Sequence, residues 1–325
     1  MRLRSLLLGV ALLLAGCADS SSAGGSPQET LEEALANLHA MPGVTASVTV
    51  RSDAGSLQAL TADGGEQISA EDAEKILASS LTISAKNTTD PAEAASQLVV
   101  NAAGEDALEM RTVDAALYLR ADVRFLLGLF GQPPTAADAF AGQAAAGGLD
   151  FVGPLIEGRW IAVTGFEELM GQGAATPSAE QAEAMEELLA ALRSSASVSS
   201  EGEDDAGEHL VASVSLRQVA RDLGEAAGKL GRGFAGGGFP PPDEVPDRQV
   251  ALDLWVDDGR LTRVEFDFLQ LGDVAGADVP AGVETLAVRI DLEEFSGEVE
   301  APADAVPVDL REVMQGFMGG LPAQP

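Results

Sequence analysis

The 325-residue chain contains a single cysteine, Cys17, which excludes an intramolecular disulfide and any Cys-based metal cluster. It has two histidines, His39 and His209. A zinc site would have to draw its remaining ligands from carboxylates, so each histidine reads as structural or solvent-facing. Lysine occurs only at Lys75, Lys86 and Lys229, and 52 acidic side chains stand against 19 basic ones, a net charge of −33. Nucleic acid and anionic headgroups are poor partners for such a surface. Aromatics make up only 4% of the residues, but the hydrophobic total is 46%, enough for a core built from Ala, Val and Leu. No apolar run reaches the roughly 20 residues that a membrane-spanning helix needs.

Catalytic signatures are equally scarce. There is no G-x-S-x-G, S-x-x-K or Walker-type loop. Gly231-Arg232-Gly233 and Gly236-Gly237-Gly238 lie in a Pro-rich stretch and read as punctuation. The run Glu201-Gly202-Glu203-Asp204-Asp205 lacks the Asp-x-Asp-x-Asp-Gly pattern of a calcium loop and reads as a solvated turn. No carboxylate pair stands out for glycoside hydrolysis. The expectation is therefore a non-enzyme with no catalytic residue, no metal site and no cofactor.

The first residues carry the most specific pattern. Met1-Arg2-Leu3-Arg4 is followed by an apolar run from Leu6 to Leu14, and then by Leu14-Ala15-Gly16-Cys17. A charged start, a short apolar run and small residues before a cut make a signal peptide over residues 1–16. Leu14-Ala15-Gly16-Cys17 resembles the lipobox of bacterial lipoproteins. That resemblance implies cleavage between Gly16 and Cys17, diacylglycerol on the Cys17 thiol, and localisation on the extracytoplasmic face of a cell membrane through the lipid anchor. Removing Arg2 and Arg4 with the leader leaves 17 basic and 52 acidic side chains, a mature charge of −35. A Gly/Ser-rich tract follows Cys17, so residues 17–27 form the lipidated cysteine and a flexible tether. Residues 28–325 are then a single folded domain.

Within that domain the patterns alternate between helix and strand. Thr30-Leu31-Glu32-Glu33 is a capping box opening a helix over residues 30–41, which Pro42-Gly43 ends. Val44, Ala46, Val48 and Val50 alternate with polar residues, the mark of a strand with one wet face. Ser69 caps a short helix to about Ser79. Strands follow over 81–85, 97–102, 107–113 and 116–121, with Asp114-Ala115 as a hairpin turn. Residues 122–158 combine the apolar run Phe125 to Phe130 with Pro133-Pro134 and an Ala/Gly-rich stretch. A strand over 159–164, a helix over 176–193 and strands over 196–201 and 209–215 come next. They are followed by a helix carrying Val219, Leu223, Ala227 and Leu230, and by a Gly/Pro loop over 231–247.

Around Asp257-Asp258-Gly259 a two-residue loop would mix the two faces of the flanking strands. A bulged hairpin with Gly259 in the left-handed region sets Leu252 opposite Val264, Val250 opposite Phe266 and Asp253 opposite Arg263. A strand over 283–292 and a terminal helix over 309–318 complete the chain. The fold class is α+β, with a meandering antiparallel sheet.

The leading helix, the antiparallel strands and three local patterns together resemble the LolA/LolB-like family, and within it the LppX and LprG type of actinobacterial lipoproteins. The patterns are Pro42-Gly43-Val44, Ala116-Leu117-Tyr118-Leu119-Arg120 and Leu254-Trp255-Val256-Asp257-Asp258-Gly259-Arg260-Leu261. The resemblance implies a curved half-barrel with helices on its concave side, enclosing a cavity for the acyl chains of a lipid or lipoglycan in transit through the envelope. Small residues such as Ala46, Ala85 and Ala102 would leave room there. Phe125, Leu126, Leu127, Leu129 and Phe130 are the candidate ligand mouth, since glycine and proline nearby permit movement. The competing expectation is a sensory or protein-interaction lipoprotein with a filled core.

Overall fold

The computed structural model describes residues 25–62, 68–88, 93–114, 116–129, 131–133, 135–147, 149–164, 195–222, 242–272 and 279–309. The expected helices over 176–193 and 309–318, and all of the helix around Val219 beyond residue 222, lie outside them, as do Gly16 and Cys17. Among the described residues there are twelve strands in one sheet, ordered β12-β6-β5-β4-β3-β2-β1-β11-β10-β9-β8-β7. The pairs from β2 to β6 and from β7 to β11 are antiparallel, and β6 with β12 is parallel. The α+β class with a largely antiparallel sheet holds. By packing, the chain divides into two compact units: residues 1–41, 49–77 and 176–293, and residues 42–48, 78–175 and 294–325.

In the first unit the leading helix α1 (Pro27–Ala40) begins earlier than its sequence suggests. Ser26 is the N-cap and Pro27 sits at its first position. Ser26 Oγ accepts the Glu29 amide at 3.3 Å, while Glu29 Oε2 accepts the Ser26 amide at 2.7 Å. That reciprocal pair satisfies two otherwise orphaned donors one turn ahead of Thr30. Leu31, Ala34, Leu35 and Leu38 form the buried stripe of α1. It lies on β9 (Gln249–Asp257), β10 (Arg260–Asp267) and β7 (Ser197–Asp204). Between them, Leu210 from β8 (Gly207–Ser215), Leu254, Leu261 and Val264 are at most 2% exposed, so this face is closed. Each such side chain contributes about 1.5–3 kcal/mol by leaving water.

The β9–β10 hairpin turns on Asp258 and Gly259, both with positive φ (49° and 70°). The expected left-handed Gly259 and the expected bulge are both present, but the register differs. Arg260 pairs with Asp257 and Leu261 with Val256, and Thr262 is then the extra residue, so Val264 opposes Leu254 and Glu265 opposes Asp253. The Thr262 hydroxyl donates to the Trp255 carbonyl at 3.2 Å, which holds the bulge. Arg263 consequently pairs with Asp291 on β11 (Leu286–Glu294) at 2.8 Å rather than with Asp253.

Two further short helices belong to this unit. The helix α3 (Ala70–Leu77) is capped by Ser69 as expected, with the Asp72 amide donating to Ser69 Oγ at 3.0 Å. Its predecessor α2 (Ala54–Ala62) carries no charge and no clear apolar stripe, and its sequence gives little sign of a helix. Asp53 starts it by accepting the Ser56 amide at 2.9 Å and the Ser56 hydroxyl at 2.6 Å. Ser56 is 1% exposed and its Oγ also accepts the Glu284 amide at 2.9 Å.

The second unit holds residues 43–48 of β1 (Gly43–Ser52), β2 (Ser80–Lys86), β3 (Ser96–Ala102), β4 (Glu105–Val113), β5 (Ala116–Ala121) and β6 (Ile161–Thr164). Residues 122–158 form three helices, α4 (Val123–Leu129), α5 (Thr135–Ala146) and α6 (Val152–Ile156). They share a small core of Ala137, Ala144, Val152 and Ile156, with Val123 and Leu127 against it. Beyond residue 294 the chain returns over the sheet: the Phe295 amide donates to the Gly43 carbonyl at 2.9 Å and the Val306 amide to the Trp160 carbonyl at 2.8 Å. A Cβ at Gly43 would lie 2.7 Å from the Ala85 carbonyl oxygen and 2.8 Å from that of Phe295, so only glycine fits this crossing. The returning segment ends as β12 (Val306–Asp309), an element without a periodic signature of its own.

Candidate functional site

Cross-strand pairing in the second unit aligns Ile83, Leu98, Met110, Leu119 and Ile161 in one row over five strands. A parallel row runs Leu81, Val100, Leu108, Ala121. Directly paired residues point to the same side, so these rows define one apolar face. Alternation within β1, β2 and β3 adds Ala46, Ala85 and Ala102 to that side, the small residues singled out from sequence.

This face is covered unevenly. Ile161 at one end of the row is 2% exposed, whereas Leu98, Met110 and Leu119 are half-buried and Ile83 is 38% exposed. In the first unit the equivalent residues are closed off by α1. An aliphatic row left partly open in a sheet interior is an apolar surface that can take up a further apolar group.

The candidate mouth residues fall on α4. Phe125, Leu126, Leu127 and Leu129 are all half-buried, and the helix has no fully buried residue. Leu127 faces the small α4–α6 core, while Phe125 and Leu129, one turn apart, lie on the side of the helix away from it. Phe130 lies outside the described residues, as do Gly16 and Cys17.

The opposite face of the same strands is polar and tightly organised. Glu109 is only 6% exposed. Its Oε1 accepts from Gln97 Nε2 at 2.8 Å and from Arg111 Nε and Nη2 at 2.9 and 2.7 Å, and its Oε2 accepts from Arg120 Nη2 at 2.7 Å. Both guanidiniums lie over the Trp160 ring, at 4.8 and 5.0 Å from its centroid. Arg111 Nη1 also donates to the Glu300 carbonyl at 3.0 Å, so the cluster fastens the returning segment to the sheet. Both carboxylate oxygens of Glu109 are engaged, three bonds at Oε1 and one at Oε2, which marks a structural anchor. In the sequence Glu109, Arg111 and Arg120 are only the polar positions of two alternating strands, and the nearness of Trp160 exists only in the folded chain.

The first unit has a comparable arrangement. His209 stacks on Trp255 with centroids 4.5 Å apart, and its Nε2 is 2.8 Å from Asp253 Oδ1. Arg263 lies over the same indole at 5.5 Å, and Trp255 Nε1 donates to Asp204 Oδ2 at 2.9 Å. The indole hydrogen bond, followed by the Ala206 amide, holds the Asp204 carboxyl below its usual range. His39 Nδ1 is 2.8 Å from the Leu35 carbonyl oxygen within α1. Both histidines therefore have partners inside the fold. Glu201 to Asp204 belong to β7, with the turn following at Asp205 and Ala206.

A depression of about 550 Å³ lies at the ends of β2, β3 and β4, lined by Lys86, Asn87, Thr88, Glu93, Ala94, Ala95 and Asp114 among others. Lys86 and Val113 belong to the polar side of the sheet, so the depression lies on the face opposite the aliphatic row. Among the described residues no group of three or more His, Cys, Asp or Glu could hold a metal ion, and no helix is long and apolar enough to cross a membrane.

The chain is similar in structure to the Mycobacterium tuberculosis lipoprotein LppX. The superposition covers 85% of this chain and 98% of that one, at 10% sequence identity and a TM-score of 0.35. A likeness this distant transfers no residue roles. No family model and no curated protein matches the sequence.

Proposed function

We propose that this protein is a non-catalytic lipoprotein, anchored through lipid on Cys17 to the extracytoplasmic face of a membrane, that binds the acyl part of a lipidic ligand. The observation carrying the reading is the half-open row Ile83–Leu98–Met110–Leu119 in the second unit. Three inter-strand spacings give it a length of roughly 14 Å, and each methylene of an acyl chain laid along it contributes about 0.8 kcal/mol by leaving water. The lipobox supplies the context, since a chain held at the bilayer meets acyl chains before any other apolar ligand. The half-buried α4 residues Phe125, Leu126, Leu127 and Leu129 are the proposed mouth, with Phe130 beside them in sequence.

Native mass spectrometry of the unlipidated Cys17→Ser chain, purified without detergent and followed by lipid extraction, tests this. A stoichiometric lipid adduct is expected. Met110→Gln, at a half-exposed position where a polar side chain can be hydrated, should reduce adduct occupancy at least tenfold without unfolding the protein. An adduct-free protein that added lipids do not stabilise would leave a filled-core interaction protein as the better reading. Cys17→Ser separately tests the anchor, and should abolish lipid labelling and release the protein from membranes.

A further inference from the structure

The surface of α5 is out of keeping with the rest of the chain. Charged residues are 22% of the sequence, yet residues 123–156 hold only Arg124, Asp138 and Asp150. The first two neutralise each other through a 2.7 Å ion pair between α4 and α5. On α5 the core side is Ala137 and Ala144, and the solvent side presents Ala139, Phe140, Gly142, Gln143 and Ala146, all exposed. Phe140 is 53% exposed, the highest value of any large hydrophobic residue described. A water-facing helix of a soluble domain normally carries its charges on that side. Here the one charged residue of α5, Asp138, is already paired, and an aromatic ring stands in the open.

We propose that this face of α5, centred on Phe140, rests on the surface of the bilayer to which the chain is anchored. The inference rests on Cys17 being the anchor and extends the proposed function by giving the protein a lipid-contacting face. Charge selects the occupant. With a formal charge of −33 overall, most of the molecule is repelled by anionic headgroups, and a charge-neutral, aromatic-bearing helix can approach them without that repulsion. A single ring and a few alanines bind a membrane weakly from free solution. Anchoring through Cys17 keeps the chain at the bilayer and makes the contact effectively intramolecular, at about millimolar local concentration.

The test uses the full lipidated protein in vesicles of phosphatidylcholine and anionic phosphatidylglycerol. Because Cys17 is acylated, Ala139→Cys supplies the only free thiol for an environment-sensitive dye, and Ser200→Cys on the exposed strand β7 supplies the control. The dye at 139 should shift to the blue and be quenched by brominated lipid, while the dye at 200 stays aqueous. Adding Phe140→Asp should lower the membrane-bound fraction at 139 relative to the free fraction by about tenfold.

Equal, aqueous signals at both sites would overturn the proposal, as would a 139 signal indifferent to Phe140→Asp. The same holds for a vesicle-free Cys17→Ser protein whose 139 signal rises with protein concentration, since a second copy would then cover the face. Native mass spectrometry of the detergent-free Cys17→Ser chain, with an intact-mass measurement of the full protein, separates the two readings. A retained lipid adduct with an aqueous 139 site refutes only the contact face. A quenched 139 site without any adduct refutes only ligand carriage. An unmodified Cys17 would refute the anchor and the contact with it.

Discussion

Replacing Glu109 by glutamine keeps its shape and removes its charge, leaving Arg111 and Arg120 over Trp160 without their counterion. Removing one partner of a buried pair costs about 3–5 kcal/mol, while an exposed pair is worth at most about 1 kcal/mol. The Glu109 side chain is 8% exposed, but those of Arg111 and Arg120 are 25% and 44% exposed, so solvent can rehydrate both guanidiniums in part. The expected loss for Glu109→Gln therefore lies between these limits, at about 2–3 kcal/mol. That corresponds to a fall of roughly 5–10 °C in the unfolding temperature of a unit of this size.

Because Arg111 also holds the Glu300 carbonyl, the loosening should appear first as faster amide hydrogen exchange at Phe295 and Val306. A cycle with Arg120→Gln isolates the charge effect. Arg120→Gln alone leaves the Arg111–Glu109 contacts in place and should cost about 1 kcal/mol or less. The double variant should be less damaging than the sum of the two by at least about 1 kcal/mol, because one uncompensated cation has been removed. Additive effects, or a melting shift below about 2 °C for Glu109→Gln, would show that the cluster is solvated and does not anchor the returning segment.

Two further substitutions probe the first unit. Ser56→Ala removes the acceptor of the Glu284 amide and should cost about 1–3 kcal/mol in urea unfolding at pH 7. The Ser56 hydroxyl, followed by its amide, holds the Asp53 carboxyl below its ordinary 3.8. Asp53 therefore contributes fully above that value, and its contribution disappears as pH falls through the lower folded value. The difference in stability between wild type and Ser56→Ala should accordingly shrink below about pH 4, and a constant difference would remove Asp53 from the account. Gly259→Ala places a side chain at φ 70° and 3.4 Å from Asn37 Nδ2, which donates to the Gly259 carbonyl at 2.8 Å. A loss of about 1–2 kcal/mol is expected, and an unchanged denaturation midpoint would mean that the turn relaxes to another type.

Local rules acting over a few residues determined a good deal of this protein. Alternation alone places β1 to β5 and β8 to β11 within a residue or three of their observed ends. Pro42-Gly43 ends α1, Ser69 caps α3, and Asp258-Gly259 turns a hairpin with Gly259 left-handed. Parity is also legible: a two-residue turn at Asp258-Gly259 would mix the faces, so a one-residue offset had to exist. Its direction was not legible. An extra residue in the loop and an extra residue at Thr262 restore parity equally well, and the latter prevails where Thr262 can satisfy the Trp255 carbonyl while Leu254 and Val264 meet beneath α1. Likewise Thr30-x-x-Glu33 and Ser26-x-x-Glu29 are both capping boxes, and the helix takes the earlier one, with Pro27 pre-set for its first turn.

Tertiary structure decided what long-range packing alone can specify. Glu109 became a buried anchor because the chain beyond Phe295 crosses over it, and β12 exists because that crossing brings Val306 alongside Ile161. The apolar rows are written in the alternation of each strand, but which of them stay open depends on which helices come to lie on them. Burial is a property of the partner as much as of the residue.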